Sequence, residues 1–207
     1  TISGMGLNST GAVINTGAAL QNGLSSITLA GNAAVGGTGR WDLRGPSGAN
    51  SLSGVLSLGT FTLSKVGPNQ VGLVDAEISG DGRIDVQGGI LAMTRCNLNG
   101  GGYIQLNTNI LLLENYSSGS ITEPLVSSGG TLRVTGNPFR YDGAVTNLPG
   151  GLIVDPTANI TLAGTVQGAG SLTKVNSGTL ILSALDNSWT GGTYINAGIL
   201  QVGSGPA

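Results

Sequence analysis

The stretch that decides the fold is "GAGSLTKVNSGTLILSALDNSWTGGTYINAGILQVG", residues 168–203. Glycine or asparagine recurs every few residues, and the apolar residues between them alternate with polar ones. Segments such as "GYIQLN", "GTLRVTG" and "GRIDVQG" repeat the pattern elsewhere in the chain. Alternation between turn residues is typical of short β-strands, because successive side chains of a strand point to opposite faces. The sequence therefore predicts an all-β protein made of many short strands.

The composition indicates a folded chain and excludes several classes of protein. Of 207 residues, 38 are glycine and only 9% are charged, with a net charge of −2. No apolar run approaches the roughly 20 residues of a membrane-spanning helix, and abundant Val, Ile and Leu argue against disorder. A basic cluster, the usual mark of a nucleic-acid partner, is absent from the sequence. We therefore expect no membrane insertion and no nucleic-acid binding.

Few residues are suited to chemistry. The chain has no histidine and a single cysteine, Cys96, which excludes the usual Ser–His–Asp triad, an internal disulfide and a cysteine metal framework. We expect no enzymatic activity, no cofactor and no metal site, and we expect Cys96 to be a buried apolar residue. The opening "TISGMGLNST" lacks the features of a targeting peptide, so we expect a processed chain or an excised piece.

A longer repeat organises the strands. An apolar residue, then x-Gly-x-Gly-x and a second apolar residue, occurs at Val35–Trp41, Ile78–Ile84, Leu98–Ile104 and Val166–Leu172. The intervals of 43, 20 and 68 residues fit two, one and three steps of roughly 20 to 23 residues, the coil length of a β-solenoid. We predict a single-domain, right-handed parallel β-solenoid over residues 1–207, with about nine to ten coils.

The same repeat predicts the core. The apolar residues that flank each G-x-G corner should point inward and stack in columns of equivalent positions on successive coils. The eight residues predicted to be buried are Val35, Trp41, Ile78, Ile84, Leu98, Ile104, Val166 and Leu172.

Residues 168–203 resemble the passenger-associated transport repeat of bacterial autotransporters. The shared positions are Gly168, Gly170, Leu172 and Lys174, then Gly178, Leu180 and Leu182, then Asn187, Trp189, Gly191 and Gly192, and finally Ile195, Asn196, Gly198, Leu200, Val202 and Gly203. The chain departs from the family pattern at Asn176, where a glycine is usual, and at Ala184. The resemblance implies a secreted β-helical scaffold and carries no catalytic residues.

The densest acidic group comprises Asp75, Glu77, Asp81 and Asp85, with Arg83 among them. Paired carboxylates of this kind occur in glycosidases and in Ca²⁺ sites. The stretch also fits two strands around a G-x-G corner, with polar side chains facing solvent, and this interpretation is favoured. Near matches to the G-G-x-G-x-D calcium repeat fail at the aspartate position, so bound Ca²⁺ is not expected.

Two further features are candidate binding sites. Trp41 and Trp189 have the ring faces that stack on sugars, but both are predicted to pack in the core. The segment "GNPFRYDGAVTNLPGG" interrupts the rhythm, which makes Phe139, Arg140, Tyr141 and Asp142 the best candidates for a ligand loop off the shaft. The favoured interpretation is a longer turn between coils.

These observations favour a structural function. We expect a secreted or cell-surface rod, such as an adhesin passenger, sheath or fibre subunit. Its candidate partners are a surface glycan and the matrix. Alternatives are a carbohydrate-binding fibre module and a polysaccharide lyase or hydrolase. The chain opens "TISGMG" and closes "GILQVGSGPA", one strand and a short polar tail. Two explanations follow: a monomer that is capped or cut from a longer passenger, which is favoured, or subunits joined head to tail in a filament through exposed strand edges.

Overall fold

In a computed structural model of the chain, residues 1–47, 49, 51–116 and 121–203 are described. Within these ranges the chain forms 26 strands and one short 3₁₀ turn, Leu7–Ser9. The first thirteen strands are β1 (Ile2–Gly4), β2 (Val13–Asn15), β3 (Leu20–Leu24), β4 (Ser26–Gly37), β5 (Trp41–Arg44), β6 (Gly54–Gly59), β7 (Thr62–Lys65), β8 (Gln70–Val74), β9 (Ala76–Gly80), β10 (Arg83–Val86), β11 (Ile90–Thr94), β12 (Asn97–Leu98) and β13 (Tyr103–Leu106). The others are β14 (Ile110–Glu114), β15 (Leu125–Ser127), β16 (Gly130–Thr135), β17 (Phe139–Tyr141), β18 (Val145–Asn147), β19 (Leu152–Pro156), β20 (Ile160–Leu162), β21 (Val166–Gly168), β22 (Leu172–Lys174), β23 (Thr179–Leu182), β24 (Ser188–Trp189), β25 (Thr193–Ile195) and β26 (Ile199–Val202).

The strands pair only in parallel and line three faces of a solenoid. Face A contains β1, β2, the end of β4, β7, β10, β13, β15, β18, β21 and β24, and face B contains β3, β5, β8, β11, β14, β16, β19, β22 and β25. Face C contains the start of β4, β6, β9 and β12, then β17, β20, β23 and β26, and between these runs Ile121 bridges in parallel to Leu98. The described residues make about nine coils, so the all-β parallel solenoid is confirmed.

Register partners show the coil length directly. On face B, Leu91 pairs with Leu111, Leu111 with Leu132, and Leu132 with Val154, so one coil takes about 20 to 22 residues. One coil is longer, because Trp41 pairs with Val71. The additional residues lie between β5 and β6. This insertion makes the register spacing of this coil longer than that of its neighbours on face B, and the sequence did not predict it.

The eight residues predicted to be inward are all buried, each no more than 3% exposed. On face A, Leu63, Ile84, Ile104, Leu125, Val145 and Val166 form one column of register partners. Because each such residue contacts equivalents on the coils before and after it, the coils share one continuous apolar interior. Among the residues described, no helix is long and apolar enough to cross a membrane.

The four copies of the G-x-G motif are not equivalent, which corrects the prediction of a single corner. Ile78–Ile84 and Leu98–Ile104 connect face C to face A, whereas Val35–Trp41 and Val166–Leu172 connect face A to face B. The motif occurs at two different corners, and at both of them a first glycine has positive φ, 102° at Gly80 and 117° at Gly37. Gly168 has φ 120°, a conformation that favours glycine. A Cβ on Gly102 would overlap the carbonyl oxygen of Gly82 on the preceding coil.

The predicted loop at Phe139–Asp142 is also corrected. Residues 139–141 form strand β17, which pairs with β20 in the regular ladder of face C. Phe139 and Tyr141 are buried, while Arg140 is exposed. This apolar–polar alternation places the segment in the coil wall, and Pro138 precedes the strand, where its missing N–H is tolerated. The polar tail predicted after β26 falls on residues 204–207, outside the described residues.

Candidate functional site

The acidic group does not converge on a site. Each of its carboxylates accepts a hydrogen bond from the following coil: Arg95 Nε and Nη2 bond Asp75 at 2.7 and 2.9 Å, Asn97 Nδ2 bonds Glu77 at 2.9 Å, the Gly101 amide bonds Asp81 at 3.0 Å, and Asn107 Nδ2 bonds Asp85 at 3.0 Å. Asp75 and Asp85 are buried, so the expected fully solvated face is wrong for these two. The group acts as a set of links between coils.

Metal binding has no support from the side chains that the structure describes. No three of the described Cys, Asp and Glu residues lie close enough together to hold an ion. Asp42, the aspartate of the first near-match to the calcium repeat, is fully buried between Arg40 and Arg44, at 3.1 and 2.9 Å. A carboxylate already held by two guanidinium groups has little capacity left for a cation.

The two tryptophans differ in exposure. Trp41 is 3% exposed and its indole N–H donates to the Gly36 carbonyl at 2.9 Å, so its predicted core position is confirmed. Trp189 is partly buried against the core, and its indole N–H donates to Thr193 Oγ1 at 3.1 Å. Only Trp189 therefore leaves part of a ring open near the surface.

Of the predicted ligand residues, two face inward and two outward. Tyr141 is fully buried and its hydroxyl donates to the Glu123 carbonyl at 2.8 Å. Arg140 and Asp142 form an exposed ion pair at 2.7 Å, with side chains 62% and 41% exposed. A ligand approaching this part of the shaft would meet the ion pair, while Phe139 and Tyr141 serve the core.

A buried polar cluster lies behind that strand. The Tyr116 ring contacts Phe139 with centroids 4.4 Å apart, and burial raises the pKa of the Tyr116 hydroxyl well above its usual range. Cys96 donates its thiol hydrogen to the Leu73 carbonyl, and burial raises its pKa to about 12, so the thiol stays protonated and unreactive. Burial also raises the pKa of Glu123, whose carboxyl accepts a hydrogen bond from the Gly100 amide. The expected buried Cys96 is confirmed.

Next to the insertion is a depression of about 570 Å³, which no feature of the sequence predicts. Its walls include Leu24, Arg44 and Pro46. Arg44 is engaged on both sides, bonding the Gln21 carbonyl at 2.8 Å and Asp42 at 2.9 Å. Because the Arg44 guanidinium is already hydrogen-bonded to these two groups, the depression has a concave shape but little free charge for a ligand.

The segment that resembles the transport repeat occupies β22 to β26. Lys174, near its start, is 1% exposed, and its ammonium donates to three carbonyl oxygens: Val175 at 2.8 Å, Asn176 at 2.6 Å and Ala197 at 3.0 Å. Asn176 has φ 66°, so it takes the left-handed conformation that a glycine would otherwise supply there. The departure at this position thus keeps the geometry.

Comparison with known proteins agrees with this geometry. The model of the passenger-associated transport repeat matches residues 172–202. A stretch of 95 residues is 38% identical to Adhesin BmaC autotransporter of Brucella suis biovar 1 (strain 1330), covering 44% of this chain and 3% of that protein. No solved structure matches the chain significantly. The predicted resemblance is confirmed: residues 172–202 of this β-solenoid match the passenger-associated transport repeat.

Proposed function

We propose that the chain is a segment of a secreted, surface-exposed rod of the autotransporter adhesin type, with a mechanical and adhesive role. The observation that carries the proposal is the transport repeat at 172–202 within the parallel solenoid formed by the described residues. The likeness to an autotransporter adhesin over 95 residues supports the same assignment. The chain spans about 3% of that relative's length, so the role assigned is that of a shaft segment.

The proposed mechanism is mechanical. Three faces of parallel strands are bonded coil to coil, and side chains such as Arg95 and Asn97 add links between coils outside the ladders. With strands about 4.8 Å apart, nine coils extend roughly 45 Å. Stacked coils that each bond two neighbours form a stiff shaft without disulfides or metal ions.

We propose a non-enzymatic role. In the polysaccharide-cleaving alternative, two carboxylates would flank a substrate bond. Here the carboxylates of the acidic group are occupied by donors on the next coil, which argues against that alternative.

For ligand contact, the exposed Arg140–Asp142 pair is the proposed point on the shaft. A guanidinium beside a carboxylate can bond sugar hydroxyls or a matrix carboxylate. A glycan array with the chain and with Arg140→Ala tests this, because loss of a specific signal in the variant is expected. An array without any signal would contradict glycan contact at this pair.

We also propose contact between the ends of two copies. Leu20 and Ile195 are the first and last residues of one inward column on face B, and they are 53% and 54% exposed. Stacking coil nine of one copy on coil one of another would continue that column and cover both residues. Sedimentation at rising concentration should reveal species above 20.5 kDa, and Ile195→Glu should remove them. A single species near the monomer mass throughout would contradict end-to-end contact.

The proposed function is tested by fusing the 207-residue chain to an autotransporter translocator barrel and displaying it on bacteria. Protease-accessible chain at the surface and increased adhesion to matrix-coated plates are expected. The matched control is the same fusion carrying Ile84→Asp, which disrupts the shaft. Equal adhesion with both fusions would contradict an adhesive role for the folded rod.

A further inference from the structure

Both lysines of the chain, Lys65 and Lys174, are buried inside the solenoid. Each is 1% exposed. Lysine is almost never fully buried unless its ammonium is paired. The hydrogen-bond acceptors of both ammonium groups are backbone carbonyl oxygens and not carboxylates. Two such residues in a chain with no other lysine point to a common cause.

The two ammonium groups are held in the same way. Lys65 Nζ donates to the carbonyls of Val66 at 2.9 Å, Gly67 at 3.0 Å and Gly88 at 2.8 Å. Those acceptors lie one, two and 23 residues after the lysine, as do the three acceptors of Lys174. We call each set of three carbonyls a lysine cage. An ammonium has three hydrogens, so one cage satisfies it completely.

The surrounding sequence is shared as well. Aligned on their lysines without a gap, residues 63–93 and 172–202 both read Leu-(Ser/Thr)-Lys-Val at the start and Gly-Ile-Leu near the end. The residue two positions after the lysine has positive φ in both, Gly67 at 75° and Asn176 at 66°. The ladders agree too, because Lys65 pairs with Val86 and Lys174 with Ile195, at the same spacing.

The two segments lie on different faces of the solenoid. Lys65 is on β7 of face A and is followed by β8 of face B, whereas Lys174 is on β22 of face B and is followed by β23 of face C. The second segment is therefore turned by one face relative to the first. A match of sequence, backbone and hydrogen bonds that survives this rotation belongs to the segment itself and not to a position on the shaft.

We propose that residues 63–93 are a second transport repeat, turned by one face, and that the caged lysine of each repeat latches its coil to the following one. The proposal rests on the proposed function, because it assigns the same secretion-associated role to a second segment. The matched family segment covers 172–202 alone.

The latch follows from where the third acceptor lies. Two carbonyls of each cage belong to the turn after the lysine, but the third, Gly88 or Ala197, belongs to the next coil. Until that coil docks, a buried ammonium lacks one acceptor, and burying an unpaired charge is costly. Burial lowers the pKa of both lysines, that of Lys65 to about 8, as expected for an ammonium removed from water. The cage therefore favours coils that add in the correct register.

The test replaces each lysine by methionine, which has an unbranched side chain one atom shorter and removes the donors. Lys65→Met and Lys174→Met should each lower Tm by roughly 5–10 °C. In the display fusion described above, each should also reduce the surface-displayed chain several-fold. The matched control is Arg140→Met, which removes an exposed cation and should change neither quantity.

The outcomes separate the two proposals. If Lys65→Met behaves like Arg140→Met while Lys174→Met lowers both quantities, the second repeat is refuted. It is also refuted if both lysine variants lose stability but only Lys174→Met loses display. If both lose stability and neither loses display, the secretion-associated role of the caged lysines is refuted. The proposed function is refuted separately, if the parent fusion adheres no better than the Ile84→Asp fusion.

A measurement on the parent chain tests the cages even if the variants do not fold. An amine-reactive ester applied to the native protein should label the terminal amine and leave both lysines unmodified, with labelling only on unfolding. Labelling of Lys65 in the native chain at the rate of an exposed lysine would refute its cage directly.

Discussion

Replacing Ile84 with aspartate tests the inward face of the solenoid. Ile84 is 1% exposed and lies between Leu63 and Ile104 in the face A column. Its backbone neighbours are engaged in the parallel ladder, so a carboxylate at this position would find apolar side chains on the coils above and below. The substitution therefore removes apolar packing and adds a polar group without donors.

The expected cost can be built from two contributions. Loss of a buried isoleucine side chain costs about 3–4 kcal/mol in comparable cores. A buried carboxyl stays neutral, and raising its pKa by about 3 units adds about 4 kcal/mol at neutral pH. The sum, about 7–8 kcal/mol, is of the same order as the whole stability of an ordinary domain. We expect the central coils to unfold at ambient temperature.

Circular dichroism with a temperature ramp and hydrogen exchange along the chain give the readout. The matched control is Ile153→Asp, the same change at an outward position whose register partners are Thr131 and Thr173. The control should lower Tm by only a few degrees. If Ile84→Asp melts within about 2 °C of the parent chain, a shift worth less than about 1 kcal/mol, the inward assignment of face A is refuted.

Replacing Gly102 with alanine should destabilise the folded chain by about 1–3 kcal/mol, because the new Cβ would overlap the Gly82 carbonyl oxygen. The control is Gly31→Ala, whose Cβ would contact only Ser3, at 3.4 Å. Equal Tm values for the two variants would contradict the close packing of coils. Glu123→Gln should change the pH profile of stability. Burial raises the pKa of Glu123, so the folded chain binds this proton more tightly than the unfolded chain, and the unfolding free energy falls as pH rises from about 4 through the raised pKa. The variant should lack that fall in paired Tm measurements, and parallel profiles would contradict it. Finally, EDTA should leave Tm unchanged; a decrease would indicate a cation among the acids between Asp75 and Asp85.

The solenoid could be predicted because its physical requirements are local. A short strand between glycine corners needs alternation and small turn residues, and both are visible in any window of the sequence. Inward positions follow from the same alternation, which is why residues such as Ile78 and Leu172 were assigned correctly. The family resemblance depended on the ordered glycines of one segment, and the match at 172–202 lies within it.

The assignment of strands to faces was harder to predict, because the G-x-G motif occurs at two different corners of the coil. The interval from Val35 to Ile78 was interpreted as two equal coils. It contains one coil lengthened by the insertion before β6 and part of another, since Val35 pairs with Lys65 and lies on face A while Ile78 lies on face C. Counting coils from the spacing of a motif fails when an insertion lengthens one coil and the motif also moves to another face, because the two changes in spacing offset each other.

The lysine cages were missed although the sequence carried a signal for them. If Leu63 and Leu172 point inward, the lysines two residues later must point inward as well, because alternation in a strand has a period of two. This inference was not made, because lysine side chains are usually exposed. What the sequence could not provide is the third acceptor, since Gly88 and Ala197 are brought to the ammonium only by the stacking of the next coil.

The low charge of the chain follows from the same architecture. A coil contacts only its two neighbours, so a charged group in the wall needs its partner on its own coil or on an adjacent one. Asp75 finds Arg95 and Asp155 finds Arg133 on adjacent coils, at 2.7 and 2.6 Å, while Lys65 uses carbonyls of its own and the next turn. Each pairing fixes the register of two coils, because a shift of one strand by one residue would place the two groups on opposite faces of the sheet. A few charges placed in this way specify the stacking of a shaft whose remaining contacts, apolar columns and backbone ladders, are nearly the same at every coil.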